Sequence, residues 1–433
     1  MESRTVKFFT ALIFLLFVWP AVGLLPEADA CTAVIISGKK TADGRPLMWK
    51  NRDTDHLDNS VRHFKGEKYS FIGLVNSESE GGEVWIGANT AGFAIMNTAS
   101  YCLKNDDVPV SKMDREGLLM YRALEICATV EDFEHFLDTL PKPLGVEANF
   151  GCIDAFGGAA WYETGNFSYH KRDVNEKEEG YIVVTNYSIS GPVSRWKGRE
   201  RYLTASAIFS EMREHGTLSE ISPLGIIDSL SRSYRHELIG IDLVRDSSEF
   251  LSGTNACVPD LDFIPRRSTS AAVVVQGVPE GGNPLEIVMW AALGYPAVSV
   301  TVPVPVSEDD CVPEELSCFP ESVLDSFSGL ADFLSYKYVY YPGCGISNHS
   351  KYIGLRFVLG DTPWSTSTLA CSRRAEAIIK GEFLPLYRKF CNGGIDGDTY
   401  IEKYRKLSEN FFRIYQDAFE CYIHWKGPFV ETF

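Results

Sequence analysis

A cysteine near the start of the chain could combine the two groups that nucleophilic catalysis needs. Ala28 and Ala30 form the Ala-x-Ala pattern at which signal peptidases cut, and Cys31 follows directly. Cleavage after Ala30 would leave a thiol and a free α-amine on one residue. An α-amine titrates at about 7.7–8.0 and a thiol at about 8.5, and an N-terminal amine can act as the base for a side-chain nucleophile. The pattern therefore predicts a self-contained cysteine nucleophile.

Residues 1–30 have the pattern of a secretory leader. Arg4 and Lys7 give it a basic start, and residues 8–25 are mostly apolar. This stretch reaches the lower limit of transmembrane length, so an uncleaved anchor is one alternative. A second alternative is a lipoprotein in which Cys31 carries lipid and has no free amine. We expect export to the periplasm or the extracellular space, without membrane association after cleavage, and keep the lipid-anchored form as the alternative.

The composition is that of a globular protein with a negative net charge. The 433 residues are 45% hydrophobic and 23% charged, and the formal net charge is −17. Such a charge argues against nucleic acid as a partner, because phosphate binding needs basic patches. The sequence has no Cys-x-x-Cys or His-Glu-x-x-His spacing, so it indicates no zinc site. We expect no metal and no organic cofactor.

The sequence contains eleven cysteines and does not specify which of them form disulfides. If Cys31 is the nucleophile, ten remain, an even number that an exported protein could use for disulfides. Cys311 and Cys318 flank a loop rich in Pro and Glu and could form a local pair. Cys127 and Cys152 could instead be buried thiols, which is a common environment for cysteine.

The apolar pattern favours an α+β protein with helices outside the sheets. Strand patterns cover residues 31–36, 46–49, 70–75, 82–88, 92–97, 149–156, 159–162, 181–185, 270–276 and 287–292. Helical patterns cover residues 111–127, 129–140, 200–213, 224–234, 370–390 and 399–425. The composition changes near residue 305, so we predict a domain over 31–305 and a mainly helical extension over 306–433, packed on that domain.

Several polar residues at strand ends and turns could act with Cys31. Residues 50–55 form a charged cluster at the end of the strand that is expected to pair with the Cys31 strand. Near the thiol, a carboxylate of this cluster could hold the ammonium group, and a cation could lower the pKa of the thiol. Asn89 lies in a turn between two strands and could face an oxyanion. Asn186 ends an apolar strand, and a buried amide needs partners. Arg201 begins a helix, with Arg195 and Arg199 nearby.

The order of these motifs resembles one family. Cys31-Thr32, Thr41-Ala42-Asp43-Gly44, the Asn-x-Asp of Asn51 and Asp53, the turn around Asn89, Thr185-Asn186 and Arg201-Tyr202 resemble the N-terminal-nucleophile hydrolases of the choloylglycine hydrolase and penicillin V acylase type. These are related to acyl-coenzyme A:6-aminopenicillanate acyltransferases and to dipeptidases. The resemblance covers residues 31–305. It implies a four-layered αββα sandwich with the nucleophile on an inner strand.

The resemblance also implies roles for individual residues. Cys31 would be the nucleophile with its own amine as base, and Asp53 would hold the amine and the thiol. Asn89 and Asn186 would form the oxyanion hole, and Arg201 would join the nucleophile network. Lys50 stands where the family usually has Arg. Because Lys lacks the planar fork of Arg, Arg52 could fill that role instead.

The implied activity is hydrolysis of a linear non-peptide amide through a thioester on Cys31, or acyl transfer to an amine. The partner is a small acyl-amide molecule, and the C-terminal helices could support a homo-oligomer. A dipeptidase of the same fold and a non-catalytic lipoprotein are the alternatives. We expect the loops at residues 56–68, 101–110 and 189–197 to line the pocket, but the sequence does not specify the acyl group.

Overall fold

Two antiparallel sheets form the centre of the molecule. The computed structural model describes residues 30–251, 256–260, 262–317, 323–340, 352–360 and 366–425. The predicted leader before residue 30 and Cys318 lie outside the described residues. In the described part of the chain, the strands are β1 (Ala30–Ile36), β2 (Leu47–Asp53), β3 (Asn59–Lys65), β4 (Ser70–Asn76), β5 (Ile86–Asn89), β6 (Ala94–Ala99), β7 (Ala148–Ile153), β8 (Ala159–Thr164), β9 (Tyr169–Asp173), β10 (Tyr181–Val184), β11 (Arg235–His236), β12 (Ile241–Asp242), β13 (Cys257–Pro259), β14 (Thr269–Gln276), β15 (Val288–Leu293), β16 (Val302–Pro305) and β17 (Tyr352–Gly354). One sheet has six strands in the order β10-β1-β2-β14-β15-β16, and the other is a seven-stranded meander from β3 to β9.

Helices cover the outer faces of both sheets. Over the described residues, the α-helices are α1 (Glu116–Ile126), α2 (Val130–Thr139), α3 (Arg199–Glu214), α4 (Pro223–Ile226), α5 (Ser247–Leu251), α6 (Glu314–Ser317), α7 (Phe327–Tyr338), α8 (Leu355–Leu359), α9 (Thr368–Cys391), α10 (Gly397–Ser408), α11 (Phe411–Ala418) and α12 (Glu420–Ile423). None of the helices in this part of the chain has both the length and the apolar character of a bilayer span.

The layers follow the order helix, sheet, sheet, helix. Strands β1 and β2 contact β6, β7 and β8 across the space between the sheets. Helices α1 and α2 pack on the outer face of the seven-stranded sheet, where Leu124 and Phe133 join a buried cluster with Phe150. Helices α3, α4, α7 and α9 contact the six-stranded sheet. This confirms the predicted α+β class and the four-layered sandwich.

The hairpin of β1 and β2 places the nucleophile candidate at one end of an inner strand. All seven residues of β2 are buried, because β1 pairs with one edge of this strand and β14 with the other. A Cβ on Gly38 would lie 2.3 Å from the carbonyl oxygen of Gly44, so the close turn between β1 and β2 requires glycine. Strand β2 continues to Asp53, four residues beyond the predicted end. The charged cluster at its end therefore lies mainly inside the sheet.

The C-terminal helices share the core of the six-stranded sheet. Helix α9 matches the predicted helix at residues 370–390, whereas the predicted helix at 399–425 is divided into α10, α11 and α12. The Tyr404 hydroxyl donates to the carbonyl oxygen of Pro303 at 2.7 Å, and the Tyr415 hydroxyl donates to that of Val298 at 2.6 Å. The helical C-terminal part is thus attached to the sheet by buried hydrogen bonds as well as by apolar packing.

Candidate active site

Cys31 lies at the floor of a cleft between the two sheets. It is the second residue of β1, its exposure is 6%, and it lines a cleft of about 280 Å³. Its backbone nitrogen donates to Asn186 Oδ1 at 3.0 Å. The nitrogen that processing would convert to an α-amine is therefore already held by a side-chain acceptor.

Arg201 connects Cys31 with Asn186. Its Nη1 donates to the Cys31 carbonyl oxygen at 2.7 Å and to Thr32 Oγ1 at 2.8 Å, and its Nη2 donates to Asn186 Oδ1 at 2.7 Å. Burial and the neighbouring Arg266 lower the pKa of Arg201 to about 10. A Cβ on Gly198, which has a φ of 76°, would lie 2.3 Å from Arg201 Nη2, so this glycine leaves room for the guanidinium. The predicted Arg201 is thus brought into the network around Cys31.

Asp53 lies opposite the residue that precedes Cys31. In the β1–β2 ladder it pairs with Ala30. Its Oδ1 accepts from Asn51 Nδ2 at 2.9 Å and from Thr269 Oγ1 at 2.6 Å. Its Oδ2 accepts from Arg266 Nε at 3.0 Å. Burial raises the pKa of Asp53, and the charges of Arg266 and Arg201 oppose that rise.

Lys50 and Asn97 form a second pair of polar residues in the cleft. Lys50 Nζ donates to Asn97 Oδ1 at 2.7 Å and to the Trp85 carbonyl oxygen at 2.8 Å. Lys50 Nζ has no acceptor lone pair, so the contact fixes the Asn97 amide with its oxygen toward Lys50. In the described part of the chain, Asn97 Nδ2 makes no hydrogen bond. Both residues line the cleft with Cys31. Asn97 is therefore a candidate donor that the sequence reasoning missed.

Arg52 has different partners from Lys50. Its guanidinium donates to Asn59 Oδ1 and, at 2.7 Å, to Asn76 Oδ1. The guanidinium carbon also lies 4.9 Å from the centre of the Trp85 ring. Although Arg52 lines the cleft, these contacts hold it against β3 and β4, and it is Lys50 that contacts Asn97.

Asn89 is not brought to Cys31. Its Nδ2 donates to the carbonyl oxygens of Leu124 at 2.9 Å and Cys127 at 2.8 Å, at the end of α1. Its Oδ1 accepts from the backbone nitrogens of Ala91 and Phe93, both at 3.1 Å. The side chain is fully occupied in joining a turn to a helix, and Asn89 is not among the residues that line the cleft.

Of the three predicted loops, which all lie within the described residues, only the loop at 101–110 contributes to the lining of the cleft. Tyr101, Lys104 and Val110 line the cleft, whereas residues 59–65 form strand β3. The loop at 189–197 contributes instead to a separate cavity of about 350 Å³, which is also lined by Cys102, Leu103, Asn105 and Asp106. The cleft is lined by Cys31, Lys50, Arg52, Asp53, Thr54, Trp85, Asn97, Ala99, Ser100, Tyr101, Lys104, Val110, Met113, Asp114, Glu116 and Glu147.

Most of the described cysteines are free thiols. The pairing of Cys311 with Cys318 is wrong, because Cys311 is a free thiol that is buried and lies 3.5 Å from the Pro305 carbonyl oxygen. The interpretation of Cys127 and Cys152 as buried thiols is confirmed, and burial raises the pKa of both. Cys257 is disulfide-bonded.

Comparison with known proteins gives similarities at the level of structure only. No family model matches the chain, and no curated protein matches its sequence. The chain is similar to an N-acylethanolamine-hydrolyzing acid amidase ortholog from Caenorhabditis elegans, with 13% identity, a TM-score of 0.39 and coverage of 58% of this chain and 93% of that one. It is also similar to a variant of the conjugated bile acid hydrolase from Clostridium perfringens, with 11% identity, a TM-score of 0.38 and coverage of 65% and 94%.

A third similar structure is penicillin V acylase from Agrobacterium tumefaciens. The identity is 13%, the TM-score is 0.33, and the match covers 64% of this chain and 86% of that one. At such low identity and TM-score, the roles of residues in this chain depend on its own contacts.

Proposed function

We propose that this protein is an exported cysteine amidase of the N-terminal-nucleophile type. It cleaves a linear C–N amide bond other than a peptide bond, after a leader is removed between Ala30 and Cys31. The observation that carries the proposal is the contact between the Cys31 backbone nitrogen and Asn186 Oδ1 at 3.0 Å, in a cleft that also contains Asp53. An α-amine at this position would be held beside the thiol of the same residue.

The proposed reaction begins with proton transfer from the Cys31 thiol to its own α-amine. The thiolate attacks the amide carbon, and the carbonyl electrons move onto the oxygen. The ammonium group returns its proton to the leaving nitrogen, the C–N bond breaks, and a thioester remains on Sγ. Water or an acceptor amine then attacks the thioester, which regenerates the thiol and gives an acid or a new amide.

The surrounding residues position the α-amine and stabilise the charge that develops in the reaction. Asn186 and Arg201 orient the amine, because Asn186 Oδ1 accepts from both the Cys31 nitrogen and Arg201. Asp53, which pairs with Ala30, supplies the carboxylate next to the new terminus. We assign the oxyanion donor to Asn97 Nδ2, which Lys50 orients. A donor that is fixed before the reaction stabilises charge without reorganisation.

Two features argue against a lipid on Cys31. Cys31 is 6% exposed, and it lies within the paired region of β1, opposite Arg52. A diacylglycerol group at this position would have to displace the neighbouring strand or fill the cleft.

The proposal is tested with a panel of acyl amides and dipeptides and with a thiol label. The wild type should hydrolyse at least one acyl amide and react with iodoacetamide at Cys31, and Cys31→Ala should do neither while keeping its circular dichroism spectrum. Cys391→Ala is the matched control, since Cys391 is a free, half-buried thiol outside the cleft. Hydrolysis of dipeptides alone would instead assign a dipeptidase, and activity that persists in Cys31→Ala would refute the proposal.

A further inference from the structure

One part of the cleft wall carries three carboxylates that the proposed reaction does not use. Asp114, Glu116 and Glu147 all line the cleft with Cys31. We call these three residues the acidic wall. Asp114 precedes α1 with a φ of 68°, Glu116 is the first residue of α1, and Glu147 immediately precedes β7.

Hydrogen bonds to backbone nitrogens hold two of these side chains in place. Glu116 Oε1 accepts from the Glu147 nitrogen at 2.9 Å. Glu147 Oε1 in turn accepts from the nitrogens of Leu103 and Lys104, both at 2.8 Å. The wall is therefore built by contacts that join three separate segments of the chain. Only 9% of Glu116 is exposed, so this residue is mostly buried where it lines the cleft.

The cations that line the cleft have other partners. Lys104 Nζ donates to Asp106 Oδ1 at 3.0 Å and to the Asp106 carbonyl oxygen at 2.7 Å. Lys50 contacts Asn97, and Arg52 contacts Asn59 and Asn76. Within the described residues, no member of the acidic wall takes part in an ion pair. Glu116 is buried and Glu147 is half-buried, whereas Asp114 is exposed. A buried or half-buried carboxylate without a cation is costly, and a ligand that brings a positive charge lowers that cost.

We infer that the acidic wall selects acyl amides that carry an ammonium group away from the scissile bond and rejects those that carry a carboxylate or sulfonate there. The inference rests on the proposed function and names its substrate class, of which an acylated diamine is the simplest member. Trp85, Val110 and Met113, which also line the cleft, offer apolar surface to the hydrocarbon part of such a molecule.

Matched substrates test this selection. The probes are the phenylacetyl amides of 1,3-diaminopropane, 3-aminopropanol and β-alanine, which have similar size and end in a cation, a neutral hydroxyl and an anion. A second series places the same three end groups on the acyl side. At pH 8 we expect the wild type to prefer the cation over the anion by at least about tenfold in kcat/KM in one of the two series, since a single close charge has an effect of this order.

Two conservative variants connect the preference to the wall. Glu116→Gln keeps the oxygen that accepts from the Glu147 nitrogen, and Asp114→Asn suits a positive φ. Each should lower the preference for the cation by about threefold or more, mainly through KM. Asp107→Asn is the matched control, because it removes an exposed carboxylate from the same loop outside the cleft. A preference that is absent, or that survives both variants, would overturn the inference.

Binding to Cys31→Ala separates this inference from the proposed chemistry. Calorimetry with the same probes measures charge selection without turnover. If the cationic probe binds more tightly, and if Glu116→Gln in the same background weakens that binding, the result supports selection by the acidic wall. This would hold even if the wild type hydrolysed none of the probes, and only the proposed chemistry would then fail. Equal binding of the cationic and anionic probes, together with equal turnover, would reject the selection while leaving amide hydrolysis in place.

Discussion

Glu116→Gln should stabilise the folded protein at alkaline pH and leave it nearly unchanged at acid pH. Burial raises the pKa of Glu116 from 4.5 to about 7; hydrogen bonds from the backbone of Glu147 and of Glu116 itself oppose the rise, and the charges of Asp114 and Glu147 add to it. The folded state therefore binds the Glu116 proton more tightly than the unfolded state does. Below pH 4.5 both states are protonated and the residue makes no difference.

The magnitude follows from the two pKa values. Between pH 4.5 and about 7 the unfolded chain loses the proton that the folded chain keeps, so the free energy of unfolding falls as the pH rises. Above pH 7 the loss is complete and amounts to about 3 kcal/mol, because each tenfold change in proton affinity is worth about 1.4 kcal/mol. Glutamine cannot ionise, and it keeps an oxygen for the Glu147 nitrogen, so it avoids this loss.

Urea denaturation at pH 4.5 and pH 8 measures the effect. The free energy of unfolding of Glu116→Gln minus that of the wild type should be near zero at pH 4.5 and about 3 kcal/mol at pH 8, since the other titrating groups cancel in the difference. The control variant Asp107→Asn, at an exposed position, should show no such dependence. A difference that is the same at both pH values would refute the reasoning.

Three further variants test separate parts of the account. Asn97→Ala should lower kcat by about 10²–10³-fold with the fold intact, because it removes the proposed oxyanion donor; unchanged kcat would reject that role. Asn89→Ala should lower the denaturation midpoint with little change in kcat, since its amide joins a turn to α1; a large loss of kcat in a stable variant would contradict this. Glu376→Leu should destabilise the chain by about 3–5 kcal/mol in urea denaturation, because it removes the buried carboxylate that binds both terminal nitrogens of Arg232 and leaves the partly exposed Asp228 as its acidic partner; a loss below about 1 kcal/mol would show that the pair is dispensable.

The sequence predicts the sheets better than it predicts the ends of their strands. Periodicity identifies β1, β4 and β6, but it ends β2 after Trp49 because four polar residues follow. Those residues remain in the strand since β1 and β14 pair with both of its edges. The sequence predicts a loop at β3 for a similar reason, because the second half of this strand carries the half-buried Arg62 and His63 and the exposed Lys65.

The contacts of the site depend on residues that are distant in sequence. Asn89 lies in a recognisable turn, but its role is set by the carbonyl oxygens of α1, 35 and 38 residues away. Asn97 carries only a weak signal, an amide within an otherwise apolar strand. Nothing in the sequence indicates that Arg266 contacts Asp53, because 213 residues separate the two. Such partners become visible only when the sheets are assembled.

The most direct test of the central claim is the mass of the N-terminal peptide of the exported protein. We expect this peptide to begin at Cys31, with an unmodified α-amine and an unmodified thiol. A peptide that begins at another residue, or that carries lipid on Cys31, would contradict the account.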